Sequence, residues 1–224
     1  MSSSGVRPVT YWDGNPVPFI TAWSGERVPS QPLAEIAGRG GTGLGFVDEQ
    51  PLVDRQYYAL WVRMPAVRTG RPDLKAVHAL RQRQAMSRLL CQMCGGPTLG
   101  ERPDERTLFL VGAAGGRPIS EGEQTSSPPL HAVCARLAVE HCPRLRRGWA
   151  AALVEYTPAW GVEGILYRPD TLEPEEGLHS VSFLDTARLH WILASRLLVT
   201  LEGVTPVDDL DALCEDSEFA QITS

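Results

Sequence analysis

Lysine is almost missing from this chain: Lys75 stands alone beside 20 arginines in 224 residues. With 21 glycines and 18 prolines, that skew reads as the codon bias of a GC-rich bacterial genome. Single arginines are therefore not each to be read as selected groups, although arginine and lysine differ physically. An excess of positive charge is lacking too. The net charge of −6 provides no global field toward nucleic acid or anionic lipid. No apolar run approaches the ~20 residues that cross a bilayer. The opening Met-Ser-Ser-Ser-Gly has neither the basic nor the apolar region of a secretory signal. Five cysteines, an odd number, argue in that setting for reduced thiols and metal rather than a disulfide framework. The expectation is a cytoplasmic protein with no membrane partner.

What is present begins with enough apolar residues, 43%, for one large domain or two small ones. The sequence predicts an α+β fold. Residues 1–64 read as a β-rich region, because Val9–Trp12, Val17–Trp23 and Tyr57–Arg63 are β-branched and aromatic runs between turn residues. Within it, Gly38, Gly40 and Gly43 formally make G-x-G-x-x-G. The following Phe46–Pro51 does not start a helix, so a flexible loop is expected rather than a phosphate cradle.

Residues 65–157 read as a helical region. A helix over 72–90 opens on Pro72 and Asp73; Thr107–Val111 is a strand candidate. Two further helices are expected, from about His131 to Cys142, where Pro143 stops it, and over Arg146–Tyr156. Gly164–Tyr167 is a possible short strand. Residues 158–204 are expected to contribute a buried C-terminal helix over 186–202, capped by Asp185, that packs on the core. Arg188, Ser195 and Glu202 would form its one polar stripe. Residues 205–224 read as an acidic, partly disordered tail.

The chemistry sits in the middle. Cys91-Gln92-Met93-Cys94-Gly95-Gly96 can bend around one ion as a knuckle, and His131-Ala132-Val133-Cys134 places two more ligand types on one face of a helix. Together they predict a structural Zn²⁺ site. The fourth ligand stays open between His131 and Cys142, with His141 or water behind them. Cys142 lies about 12 Å along a continuous helix from Cys134, too far for both sulfurs to share an ion unless the helix breaks early. The bland alternative is a set of cysteines buried as small hydrophobes.

Over residues 88–142 the order knuckle, strand, loop and helix resembles a treble-clef zinc finger. In that family one ligand pair comes from a C-x-x-C-G knuckle and the other from the first turn of a following helix. The resemblance implies Cys91, Cys94, His131 and Cys134 as the ligand set. A looser similarity to HNH nucleases covers the same outline. Those enzymes carry a catalytic histidine on the strand after the knuckle, and 108–130 contains none. The resemblance thus implies a scaffold without nuclease chemistry. Deaminase-type zinc chemistry is not indicated either, since Cys91 follows Leu90 and no H-x-E precedes it.

The functional expectation is a zinc-stabilised binding or regulatory module without catalytic activity of its own, acting on an unidentified protein partner. The rival is a nucleic-acid binder using Arg68, Arg71, Arg81, Arg83 and Arg88 beside the knuckle. The acidic tail and negative net charge speak against the rival. Neither partner, ligand nor oligomeric state follows from the residues.

Overall fold

In the computed structural model the described residues are 5–38, 41–113 and 115–215. Three short strands open the chain: β1 (Thr10–Trp12), β2 (Asn15–Val17) and β3 (Thr21–Trp23), the first two paired as a hairpin. The glycine-rich segment forms a second hairpin, β4 (Leu33–Gly38) with β5 (Gly41–Phe46), where a loop was expected. Its glycines serve close approach. A Cβ on Gly43 would lie 2.7 Å from the His190 carbonyl oxygen, and the next residue, Leu44, donates its amide to that same oxygen at 2.8 Å. The one-turn helix α1 (Pro51–Asp54) then leads into β6 (Arg55–Gln56) and β7 (Ala59–Trp61).

The helix expected over 72–90 is in fact two elements, β8 (Pro72–Val77) and α2 (Ala79–Ser87). β8 pairs with β3, some 50 residues back, which supplies hydrogen bonds that no local propensity registers. His78 caps α2: its Nδ1 accepts from the Arg81 amide, and its Nε2–H donates to the Pro65 carbonyl at 3.1 Å.

After the knuckle come β9 (Thr107–Gly112), the short β10 (Gln124–Thr125) and α3 (Ala132–His141), the latter close to its expected span. The segment read as a helix over 146–156 is instead a single 3₁₀ turn, Leu145–Arg147, followed by β11 (Trp149–Val154). Then follow β12 (Ala159–Leu166) and β13 (His179–Ser182).

The expected C-terminal helix is likewise corrected. Asp185 does cap a helix, its carboxylate accepting from the Arg188 amide at 3.2 Å, but α4 (Thr186–Leu189) ends within one turn. The rest is β14 (Ile192–Thr200), a nine-residue strand. β15 (Thr205–Val207) and a helical stretch over 210–215 lie within the expected tail, and Leu210, Leu213 and Cys214 are core residues there. The remainder of that tail, 216–224, lies outside the described residues.

Two sheets and α3 make three layers. The larger sheet runs β13-β12-β14-β7-β6, with β10 also on β14; the smaller runs β15-β11-β9. β9 and β11 are buried on both faces, and their side chains alternate between two cores. Phe109, Ala150, Ala152 and Val154 face Val162, Ile192, Leu197 and Val199 of the large sheet. Leu108, Leu110, Ala151 and Leu153 face the knuckle cysteines and α3. Each fully buried Leu, Ile or Phe in these cores contributes about 1.5–3 kcal/mol. The small sheet is therefore the shelf on which the cysteine cluster rests.

Candidate metal centre

The knuckle is built by backbone hydrogen bonds that turn both cysteine side chains to one point. Cys91 N–H donates to the Gly96 carbonyl (2.7 Å) and Gly95 N–H to the Cys91 carbonyl (2.8 Å). Leu90 and Pro97 close the loop as an isolated antiparallel bridge. Gly95 sits at φ +70°, and a Cβ there would meet the Phe19 ring at 2.5 Å. Both the backbone angle and the contact therefore call for glycine. Two backbone amides, Gly96 at 3.4 Å and Arg7 at 3.5 Å, point at the Cys94 sulfur. Such N–H···S contacts favour a thiolate.

The second pair comes from the start of α3. Leu108 receives the Leu130 amide (2.9 Å), and the Gln92 amide donates to Pro129 (2.9 Å), so the loop before α3 is tied both to β9 and to the knuckle. His131 is the N-cap and Cys134 lies one turn on. The ligand atoms of Cys91, Cys94, His131 and Cys134 all lie within 4.8 Å of one another, and all four residues are buried. His131 Nδ1 is 3.3 Å from Cys94 Sγ and 3.9 Å from Cys134 Sγ. A tetrahedron with metal–sulfur bonds of about 2.3 Å has edges of about 3.8 Å, the scale seen here. The other ring nitrogen, Nε2, lies 2.9 Å from the Pro97 carbonyl. Donating its proton there leaves the Nδ1 lone pair for the cluster.

Cys94, Cys134 and His131 divide charge unevenly. Hydrogen bonds from Cys134 and Cys91 pull the Cys94 thiol far below its ordinary value, whereas bonds to Cys91 and Cys94 hold the Cys134 thiol well above it. Burial works against a charge on His131, but the neighbouring Cys91 and Cys94 outweigh it and push the imidazole up to about 11. A divalent cation would remove this division, since Cys91, Cys94 and Cys134 would hold it as thiolates and His131 as a neutral nitrogen donor. The arrangement can therefore hold a metal ion, and three sulfurs with one nitrogen suit zinc.

Cys142 is not part of the cluster. It forms the C-cap of α3, its amide on the Ala138 carbonyl at 2.8 Å, and the helix does not break early enough to bring it back. His141 is exposed, its ring bonded to the Leu137 carbonyl. Glu101, which carried no signal in the sequence, reaches the start of α3 and accepts the Ala132 amide at 3.3 Å. Burial beside the cluster raises its pKa.

The arginines of the rival reading do not share a face. Arg81 is inside the protein, bidentate to Glu26 at 2.7 and 2.6 Å and bonded to the Thr21 carbonyl. Arg83 stacks on Trp61, and Arg68 on Phe19, whose carbonyl it also reaches. Arg71 and Arg88 alone are exposed without such a contact. The Glu26–His78–Arg81 network escaped sequence reading because its members are brought together by the β3–β8 pairing, far apart in the chain.

No helix among the described residues is long and apolar enough to cross a membrane. The four-residue cluster has to speak for itself, since no protein-family model, no curated protein and no solved structure matches the chain.

Proposed function

We propose that the chain is a zinc-stabilised binding or regulatory module whose metal is structural. The observation that carries this reading is the closed set of four buried donors, Cys91, Cys94, His131 and Cys134, within 4.8 Å of one another. Four N/S donors fill a tetrahedron and leave no position for a substrate or an activated water. Residues around them add closure rather than access. The Arg7 amide lies on Cys94, Gly5 sits against Pro97 and His131, and Phe19 packs on Gly95. The metal would thereby tie the start of the chain, the knuckle and α3 into one unit, in the manner of a treble clef. The nucleic-acid reading loses its main side chain, because Arg81 is spent on Glu26.

Elemental analysis of the purified chain tests this. About one Zn²⁺ per chain is expected, and Co²⁺ substitution should give the intense visible absorption of a tetrahedral thiolate site. A metal-free preparation that unfolds cooperatively at the same temperature as a zinc-loaded one would overturn the reading.

A further inference from the structure

A cleft of about 380 Å³ lies beside α2, lined by Val53, Asp54, Trp61–Pro65, Leu80 and Arg83 among others. Its size falls in the range of small-molecule sites. Arg81 and Arg83 are two positions apart on α2 and so point to different sides. Arg81 meets Glu26, whereas Arg83 reaches no carboxylate among the described residues.

The charges of the cleft are otherwise settled. Asp54, 2% exposed, is bonded through both oxygens to Arg63 at 2.7 and 2.6 Å and also accepts the Gln50 amide. Arg63 also pairs with Asp48 at 3.0 Å. Arg83 alone among the cleft's charged groups has neither ion pair nor hydrogen bond to any described residue, and its Nη1 is shut off from solvent with no acceptor. Burial pulls its pKa down with no anion to offset it. Its guanidinium carbon lies over the Trp61 ring, 4.4 Å from the centroid, a cation–π contact that restrains the side chain. Nη1 is the one Arg83 nitrogen shut off from solvent with no acceptor, and the remaining two, Nε and Nη2, form the side-on fork that a carboxylate engages with two parallel hydrogen bonds.

We propose that this cleft binds a small organic carboxylate, its charge met by the Nε–Nη2 edge of Arg83 and its apolar body lying against Val53, Val62, Met64 and Leu80. A monoanion fits better than a phosphate monoester, because one free cation balances one charge and would leave a dianion half compensated. The inference goes beyond the zinc reading, and no lining residue belongs to the cysteine cluster.

The experiment is an NMR titration of the ¹⁵N-labelled, zinc-loaded full chain with 3-phenylpropionate, its neutral amide and phenyl phosphate. Saturable shifts are expected at residues 61–65 and 80–83. The neutral amide and the Arg83→Ala variant should bind about tenfold more weakly or worse. Arg83→Lys, which keeps the charge and loses the fork, should fall between. Equal binding of acid and amide, shifts that map elsewhere, no saturation by ~10 mM, a weak-millimolar bound, or tighter binding of phenyl phosphate would each overturn the proposal. Should Arg83→Ala not fold, the acid–amide contrast in the unaltered protein decides the matter. A chain that proved metal-free yet bound the acid through Arg83 would sink the zinc reading and leave this one standing.

Discussion

The side chain of Gln82 pairs with the backbone of Leu197 as a neighbouring strand would. Its Oε1 accepts the Leu197 amide at 2.9 Å and its Nε2 donates to the Leu197 carbonyl at 3.0 Å, with a second bond to Ser126 at 2.8 Å. One edge of β14 is occupied by β12 along its length. On the other edge β7 covers Leu193 and Ala194 and β10 covers Val199 and Thr200. Gln82 fills the gap between them. A single amide from α2 thus completes the central sheet.

Replacing Gln82 with Leu would strand one buried amide and one buried carbonyl of Leu197, at about 1–3 kcal/mol each. Urea denaturation should show a loss of roughly 2–4 kcal/mol, and Gln82→Glu, which can accept but not donate, should be comparably poor. A loss below about 0.5 kcal/mol, the size of an ordinary surface change, would show that the sheet does not need this clasp.

The Glu26–Arg81 pair makes a pH prediction. Burial by itself would raise the Glu26 carboxyl, but bonds from Arg81 and the Trp23 amide outweigh it and hold the pKa below its ordinary value. Glu26 therefore stabilises the fold above its unfolded value and loses that contribution as pH falls through the folded one. Burial, aided by the Arg81 charge, lowers the pKa of His78. It remains neutral when folded, so stability also declines below pH ~6.5, where the unfolded chain takes up the proton. In zinc-loaded samples, Glu26→Gln should cost about 3–5 kcal/mol at pH 7 by leaving Arg81 unpaired. It should also flatten the lower, carboxylate part of the acid profile relative to the unaltered protein. Parallel profiles would exclude the pair as its source.

His131 and Cys142 are separable by metal content. His131→Ala should lower Zn²⁺ affinity by several orders of magnitude and destabilise the chain, because metal binding and folding are linked. Cys142→Ser should keep one Zn²⁺ per chain, since Cys142 caps α3 outside the four-residue cluster. Competition with a chromogenic chelator reads both. The reverse ranking would mean that the helix end unwinds to bring Cys142 in.

Tyr57 and Tyr58 form the two-residue turn between β6 and β7 with φ of +53° and +66°. Such a turn suits Asn-Gly, and an L side chain in this region costs about 1–2 kcal/mol. Tyr57 recovers part of that through its ring contact with Phe183 at 4.7 Å. Tyr58, 78% exposed, has little packing to lose. Tyr58→Gly is therefore expected to stabilise by about 1 kcal/mol, a rise of roughly 2–4 °C in Tm. An unchanged or lower Tm would count against strain at this turn.

The parts that were legible share one property. C-x-x-C-G and the His131–Cys134 spacing are local patterns, each fixed by one turn of chain, so the sequence by itself marked Cys91, Cys94 and Cys134 and roughly where α3 begins and ends. The choice of His131 over Cys142 came only with the tertiary structure. The sequence also determined that β9 is a strand and that Asp185 caps a helix. Other parts depended on partners distant in the chain. β14 lies at the centre of a sheet and carries few polar residues, and such a run cannot be told from a buried helix by periodicity. β11, with three consecutive alanines, has helical propensity but lies between β9 and β15 with a core on either face. Arg81, read as a surface cation, became an internal one once β3 and β8 paired and carried Glu26 to it. Local chemistry marked the candidate ligands. Long-range pairing decided which apolar runs became strands and which charges were buried, because hydrogen-bond partners and desolvation exist only once the chain has come together.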